Sequence, residues 1–277
     1  MKGIARPLVA LVATSVIGSQ QTLSSRIVLA TVTDTGNRPL FVLGPDDFVV
    51  DERGEPREVL TVHLADYPIA VLLDNSSEAR QQLDVIRSTA ARFISRAGER
   101  PVAIAALATP DRLMASFDDD RAAVLAAVEQ LGTASGPRLP LEAAATAAHA
   151  IRDTGVPFSA IVIISAGPAE VKPTEAGSLL TPILESGATI HVIATGSPMA
   201  APASANDLLR ALADQTRGQY TTIYSPASYS IALDHLADRL ATEMMIEYVL
   251  PAGVVPGGDM RVGVKIPGAP VTGLGVR

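Results

Sequence analysis

The sequence contains no cysteine, which excludes disulfide bonds, thiolate catalysis, cysteine-ligated zinc and a lipid-modified N-terminal cysteine. Basic residues are also scarce: 22 Lys and Arg stand against 29 Asp and Glu, for a formal net charge of −7 over 277 residues. A sequence-independent nucleic-acid binder needs clustered basic side chains to neutralise phosphates, so we expect no nucleic-acid partner. Charged residues make up 18 % and hydrophobic residues 48 %, which is typical of a core-forming chain and not of a disordered one.

An apolar run near the N-terminus bears on where the protein works. Lys2 and Arg6 precede a mostly apolar stretch at 8–17, and small and polar residues follow it at 18–20. Ten residues is short for a bilayer-spanning helix, which needs about 20. The order of the three parts predicts a signal peptide over residues 1–20, with an N-terminal core strand as the alternative. We therefore expect an exported protein, periplasmic or extracellular, with no membrane span after leader removal.

Hydrophobic periodicity divides the rest of the chain into three parts. Residues 25–65 and 247–277 have the pattern of β-strands, and the latter part is interpreted as a β hairpin and tail. Residues 66–246 alternate strands with helices, which predicts a doubly wound, mostly parallel sheet with helices on both faces. Neither terminal part has enough strands to be stable alone, so 25–65 and 247–266 are predicted to pair as one small sheet.

The end of the first central strand carries a group of polar residues. The apolar run at 69–73 is followed by Asp74-Asn75-Ser76-Ser77-Glu78, an acid and then several hydroxyls. In open parallel sheets, ligands bind beyond the carboxyl ends of the strands. This pattern resembles the Asp-x-Ser-x-Ser metal motif of the von Willebrand factor type A domain. The alternative interpretation is that Asp74 and Ser76 cap a helical segment starting at Glu78.

The resemblance extends over residues 25–266. The segments DTGNRPL at 34–40 and DDFVVDE at 46–52 look like the β segment that precedes this domain in a group of exported bacterial von Willebrand factor A-related proteins. The predicted hairpin at 248–250 also looks like theirs. The resemblance implies a von Willebrand factor A-like domain over 66–246 with a small β appendage built from both chain ends.

The family's metal site implies an Asp and two hydroxyls from one loop, a Thr from a second loop and an Asp from a third. Oxygen ligands of this kind suit Mg²⁺. Asp74 and Ser76 match the first two positions, and Glu78 stands where the family has Ser. The Thr position falls at or near Arg138, and the third loop reads Ser165-Ala166-Gly167, with Ala in place of Asp.

This departure from the family pattern predicts a degenerate metal site. A hard dication needs several oxygens, and the lost carboxylate weakens the site strongly. Arg138 adds a positive charge there, and it could pair with Asp74 or Glu78 in place of the cation. We therefore expect neither a bound metal nor another cofactor, with weak Mg²⁺ binding left open.

The resemblance implies a non-catalytic, exported module of the protein-binding or adhesion type, whose partner is another protein or a cell-surface component. The predicted ligand-binding face comprises Asp74, Ser76, Glu78, Arg138 and Ser165. We expect no catalytic residues, because the four histidines have no ligand spacing and no Gly-x-Ser-x-Gly motif surrounds Ser165. The alternatives are an exported hydrolase on a related sheet and a structural envelope protein without a ligand.

Overall fold

The computed structural model describes residues 24–36, 38–168, 176–196, 207–251 and 259–276. The signal peptide predicted over 1–20 lies outside the described residues. Within these ranges the strands are β1 (Ser24–Val32), β2 (Phe48–Glu52), β3 (Glu55–Arg57), β4 (Val59–Leu64), β5 (Ile69–Leu73), β6 (Val102–Ala106), β7 (Thr109–Ala115), β8 (Ala160–Ser165), β9 (Thr189–Thr195), β10 (Gln219–Ile223), β11 (Glu243–Leu250), β12 (Met260–Val264) and β13 (Val271–Val276). The α-helices are α1 (Leu83–Arg96), α2 (Arg121–Glu129), α3 (Pro140–Thr154), α4 (Leu180–Glu185), α5 (Leu208–Gln215) and α6 (Ser228–Ala241).

The central sheet has six strands in the order β10-β9-β8-β5-β6-β7. Its pairs are parallel except for β6 and β7, which run antiparallel. Every residue of β5, β6 and β8 is buried, as apolar strands covered on both faces require. The predicted doubly wound, mostly parallel sheet is therefore confirmed.

Helices cover the two faces of this sheet. Side chains of α1, α2 and α6 pack in one core, and those of α3, α4 and α5 pack in the other. The buried face of α3 consists mostly of alanine, so this helix lies close to the strands beneath it. Among the described helices, none combines the length and the apolar character that crossing a bilayer would need.

The terminal segments pair with each other, but in two antiparallel sheets and not in the one sheet predicted. One sheet has the order β13-β1-β11-β4 and the other β12-β2-β3. Alternation along the strands explains the division. Val28, Ala30 and Val32 of β1 face the three-stranded sheet, whereas Leu29 packs into the core of the central sheet. The four-stranded sheet is thus a middle layer with apolar side chains on both faces, and the three-stranded sheet covers its outer one.

A buried polar cluster joins the four-stranded sheet to the central sheet. The Tyr67 hydroxyl donates a hydrogen bond to the Glu243 carboxylate, and the Arg100 guanidinium lies 4.4 Å from the centre of the Tyr67 ring. Arg100 also donates to the Leu240 carbonyl at 2.6 Å. Burial raises the pKa of Glu243 above its ordinary value. These interactions stabilise the contact between the two sheets, because Glu243 belongs to β11 of the four-stranded sheet and Tyr67 immediately precedes β5 of the central sheet.

Candidate functional site

The predicted site residues meet at the carboxyl ends of β5 and β8. Asp74 directly follows β5, and Ser165 is the last residue of β8, the strand beside it. Arg138 reaches the same edge from the loop that precedes α3. Parallel neighbours end at the same edge of a sheet, so residues far apart in sequence converge here.

The Asp74 carboxylate is the centre of the site and is fully buried, with 0 % of its side chain exposed. Its Oδ1 accepts a hydrogen bond from the Ser76 backbone N–H at 3.0 Å. Its Oδ2 accepts one from the Ala166 backbone N–H at 2.9 Å, and the Ser165 hydroxyl lies 3.4 Å away. The Arg138 Nε lies 3.2 Å from the same oxygen. Both carboxylate oxygens therefore have protein partners, as a buried charge requires.

The Arg138 guanidinium connects its own loop to the loop that follows β5 and to the loop that follows β8. Besides facing Asp74, it forms an ion pair with Glu78 through Nη2 and donates from Nη1 to the Pro168 carbonyl at 3.1 Å. The Arg138 side chain is 12 % exposed, whereas that of Glu78 is 74 % exposed. A Cβ atom at Gly167 would lie 2.3 Å from Nη1, so this arrangement requires glycine there. The guanidinium consequently closes over the buried carboxylate and presents one carboxylate, Glu78, to solvent.

The capping interpretation of the first loop is wrong. A single 3₁₀ turn covers Ser77–Ala79, and Ser76 stands at its N-cap position without a side-chain capping bond. Asp74 instead accepts from the N–H two residues on, an Asx-type turn that bends the chain away from β5. The Ser76 hydroxyl oxygen is buried, and within the described ranges it has no hydrogen-bond partner.

Two side chains that support the site were missed by the sequence analysis. Asn75 ties the neighbouring loops together, since its Oδ1 accepts from the Ala108 N–H at 3.0 Å and its Nδ2 donates to the Gly132 carbonyl at 3.2 Å. Tyr229, at the start of α6, donates from its hydroxyl to the Ser165 carbonyl at 2.7 Å. Burial raises the pKa of Tyr229 to about 12, so its hydroxyl stays protonated. No motif marks either residue, because each acts through backbone groups far away in sequence.

Solved structures resemble the fold of this chain. No protein-family model matches the sequence, and no curated protein sequence matches it. The structure of a von Willebrand factor type A protein from Catenulispora acidiphila aligns with 94 % of this chain and 74 % of its own, at 12 % identity and a TM-score of 0.51. The SpRpn10 VWA domain aligns with 62 % of this chain and 95 % of its own, at 15 % identity and a TM-score of 0.50. The chain has a von Willebrand factor type A fold.

Identities this low establish the fold alone, so the chemistry of the site rests on its own residues. In this von Willebrand factor type A fold, the structure brings together the five predicted residues Asp74, Ser76, Glu78, Arg138 and Ser165. The histidines do not join them: His191 lies inside β9 with both ring nitrogens buried. Across the described part of the chain, no three His, Asp or Glu side chains converge as metal ligands would.

Proposed function

We propose that this chain is an exported, non-catalytic protein-binding module whose ligand face lies at the carboxyl ends of β5 and β8. Its partner is another protein or a component of a cell surface. The observation that carries the proposal is the Asp74–Arg138–Glu78 bridge, which fills this edge of the sheet with groups from the chain itself. Such an edge offers shape and fixed charge to a partner, and it needs neither an ion nor a reactive side chain to do so.

The residues present do not fit a divalent cation. Mg²⁺ demands near-octahedral oxygen coordination, and a positive charge beside it is repelled. The Asp74 oxygens are engaged by two backbone N–H groups and by the Arg138 guanidinium at 3.2 Å. Ala166 offers no side-chain oxygen, and the buried Ser165 hydroxyl beside Asp74 already donates to the Gly167 carbonyl. The buried Ser76 hydroxyl, which has no partner in the described residues, adds one oxygen to those of Asp74. We infer that the guanidinium stands in the position that a cation would otherwise take.

The hydrolase alternative finds little support in the same geometry. The Ser165 hydroxyl is buried and donates to the Gly167 carbonyl at 3.0 Å, so it is not turned towards a substrate. A serine nucleophile needs an adjacent base, and none of the four histidines, all of them described, hydrogen-bonds to Ser76 or Ser165. A serine-reactive fluorophosphonate should therefore label neither serine, and stoichiometric labelling of either would favour the hydrolase.

Affinity capture with matched variants tests the binding proposal. Ser77 is exposed on the ligand face, and Ser88 is exposed on α1 away from it. We expect the full chain carrying Ser77→Trp to capture at least tenfold less of a partner from the native cell envelope than the unmodified chain does. Ser88→Trp, the same change elsewhere, should retain that partner, and capture should be equal in millimolar Mg²⁺ and in chelator.

Three results would overturn the proposal. Equal capture by Ser77→Trp and Ser88→Trp would show that this face does not bind. Capture that requires Mg²⁺ would restore a metal-dependent site. Absence of any partner that depends on the face would favour a structural envelope protein without a ligand.

A further inference from the structure

Two clefts lie at the opposite edge of the central sheet, where the terminal strand β13 approaches it. One cleft of about 380 Å³ is lined by Leu29, Phe158 and Thr189, on the side of β1 that faces the central sheet. The other, of about 410 Å³, is lined by Val28 and Val262, on the side that faces the three-stranded sheet. Residues 217, 275 and 276 line both clefts. Volumes of this size are typical of small-molecule sites.

This edge is remote from the proposed protein-binding face. Phe158 and Thr189 stand at the amino ends of β8 and β9, whereas Asp74 and Ser165 lie at the carboxyl ends of β5 and β8. The length of β8, five steps of about 3.3 Å, separates the two edges by roughly 17 Å. Occupancy of one edge can therefore be tested without disturbing the other.

Arg217 projects into the clefts from a strained backbone position. Its φ of 61° lies in the left-handed region, which is unfavourable for a non-glycine residue. The residue follows the C-cap of α5 in a Schellman motif: the Arg217 N–H donates to the Asp214 carbonyl, and the Gly218 N–H donates to the Ala213 carbonyl. Glycine is favoured at this position, yet here it carries a long cationic side chain. Strain of this kind is often associated with function.

The charge on Arg217 has no counterion within the described residues. Its Nη1 donates to the Leu274 carbonyl at 2.9 Å, and no carboxylate forms an ion pair with it in that part of the chain. Arg239 adds a second cation nearby, since its Nη2 donates to the Arg217 carbonyl at 3.1 Å. Arg217 therefore brings to both clefts a positive charge without a counterion among the described residues, while Leu29, Phe158 and Val276 supply an apolar patch in the otherwise mostly polar lining of the first cleft.

Glycine in β13 provides the room beside this charge. A Cβ atom at Gly275 would lie 3.4 Å from the Phe158 ring, so a larger side chain there would enter the first cleft. The backbone of Gly275 is not in the left-handed region, and β-branched residues suit a strand. The absence of a side chain at Gly275 therefore keeps the first cleft open. The backbone conformation at this position does not itself require glycine.

We propose that the first cleft binds a carboxylate with a short apolar segment, with Arg217 pairing the carboxylate and the patch formed by Leu29, Phe158 and Val276 contacting the apolar segment. A guanidinium matches a carboxylate in charge and geometry, and one such group suits a monoanion. The ligand is either a free aliphatic acid or the C-terminal residue of a peptide, which share this chemistry. Paired with the carboxylate, the Arg217 guanidinium keeps its bond to the Leu274 carbonyl and gains its missing counterion.

Titration of the full chain with four probes tests the ligand class. Hexanoate represents the free acid, and acetyl-Leu-Leu with a free C-terminus represents the peptide. Hexanol and the amidated peptide are their uncharged counterparts. We expect saturable binding of at least one carboxylate and at least tenfold weaker binding of its uncharged counterpart. Tighter binding of hexanoate or of the peptide identifies the source, and either result supports the carboxylate site.

Two pairs of matched variants locate the site. Arg217→Asn removes the charge and keeps a residue that tolerates the left-handed region, and Arg53→Asn does the same at φ 62° outside the clefts. Gly275→Val fills the first cleft, and Gly263→Val places the same side chain at a strand position with no atom within 4 Å of the added Cβ. We expect the first member of each pair to weaken carboxylate binding at least tenfold and the second to leave it unchanged.

The outcomes that overturn the proposal are equally specific. If neither carboxylate binds saturably, or if the uncharged probes bind equally well, the proposed ligand class is wrong. Equal weakening by Arg217→Asn and Arg53→Asn would indicate a general charge effect and no site. A melting curve for each variant ensures that lost binding is scored in folded protein, and Arg217→Asn decides the matter even where Gly275→Val fails to fold.

Discussion

Two arginines at opposite edges of the central sheet have opposite surroundings. Arg138 is 12 % exposed and contacts the Asp74 and Glu78 carboxylates and the Pro168 carbonyl. Arg217 is exposed, contacts the Leu274 carbonyl and has no carboxylate partner in the described ranges. The positive charge of Arg138 is therefore neutralised by carboxylates of the chain, whereas that of Arg217 has no carboxylate partner in the described ranges. A sequence that shows only an arginine in a loop does not distinguish these two roles.

Glycines reinforce the contrast. Gly167 lets the Arg138 guanidinium approach its backbone, so the guanidinium occupies the space that a side chain at this position would take. Gly275 leaves space that no other residue fills completely, which opens the first cleft. One glycine thus serves packing within the fold, and the other maintains a cavity.

The largest expected effect separates the two arginines by stability. Arg138→Ala leaves the buried Asp74 carboxylate without its cation, and breaking a buried pair in this way costs about 3–5 kcal/mol. Arg217→Asn removes an exposed group and should change the unfolding free energy by less than about 0.5 kcal/mol. Urea denaturation of both variants measures the difference. Glu78→Gln, which alters the exposed partner of Arg138, should cost at most about 1 kcal/mol. Equal losses for Arg138→Ala and Arg217→Asn would contradict the comparison.

A second prediction compares glycines at the two edges. A Cβ atom at Gly218 would lie 1.7 Å from the Ile190 carbonyl oxygen, so Gly218→Ala must move a strand backbone and should cost about 3 kcal/mol. At Gly167 the obstructing atoms belong to the end of the Arg138 side chain, so Gly167→Ala should cost about 1–2 kcal/mol. Denaturation midpoints rank the two. A larger loss at Gly167 would mean that the guanidinium is held more rigidly than the strand.

Acid should destabilise the protein through His191. Burial, followed by the positive charge of Arg239, lowers the pKa of His191 to about 3, whereas an unfolded histidine titrates near 6.5. Below about pH 6.5, His191 therefore binds a proton in the unfolded state but not in the folded state, and the free energy of unfolding decreases as the pH falls. At pH 5 the loss is about 2 kcal/mol.

The variant His191→Leu isolates this contribution. Burial raises the pKa of Glu243, which acts in the opposite sense by stabilising the fold as pH falls, so the wild-type profile contains both terms. Denaturation at pH 7 and pH 5 should show wild type losing about 2 kcal/mol more than His191→Leu. Equal losses in the two proteins would mean that His191 takes up its proton in the folded state.

Periodicity predicted the central sheet because its inner strands β5, β6 and β8 are short, almost entirely apolar and fully buried, and because amphipathic helices separate the strands. The division of the terminal strands into two sheets was not predictable, since each strand has the same alternation whichever partner it takes. Leu29 and Val28 are both apolar, so the residues indicate a strand with two buried faces but not which layer covers each face. Pairing across more than 200 residues is decided by packing in three dimensions.

The site was predicted where motif spacing fixes position and missed where backbone groups hold it. Asp74 directly follows an apolar strand, and Arg138 follows from counting back from α3. Asn75 and Tyr229 hold the loops through carbonyls and N–H groups, which every residue has. Arg217 was missed for a related reason. The helix ends at its C-cap Thr216, and the left-handed position that follows a C-cap is usually occupied by glycine. Here Arg217 occupies that position, and the glycine, Gly218, comes one residue later.

The smallest expected effect concerns magnesium, for which we predict no change at all. A ligand that binds only the folded state stabilises it by RT ln(1 + [L]/Kd), about 2.7 kcal/mol at a hundred times Kd. A competent site would therefore raise the melting temperature in millimolar Mg²⁺ or Mn²⁺, and chelator would reverse the shift. We expect neither, because Arg138 faces Asp74 at 3.2 Å and Ala166 supplies no oxygen.

The converse experiment sharpens that null result. Arg138→Thr combined with Ala166→Asp removes the guanidinium and supplies a hydroxyl and a carboxylate close to Asp74, whose Oδ2 already accepts from the Ala166 N–H. With the buried Ser76 hydroxyl, the double variant offers four oxygen-bearing side chains to an ion, and a saturable thermal shift with Mg²⁺ should appear. A saturable shift in the unmodified protein, abolished by Asp74→Ala, would contradict the prediction. Glu78 and water would then complete the coordination, and Arg138 would have to leave Asp74 whenever the ion binds.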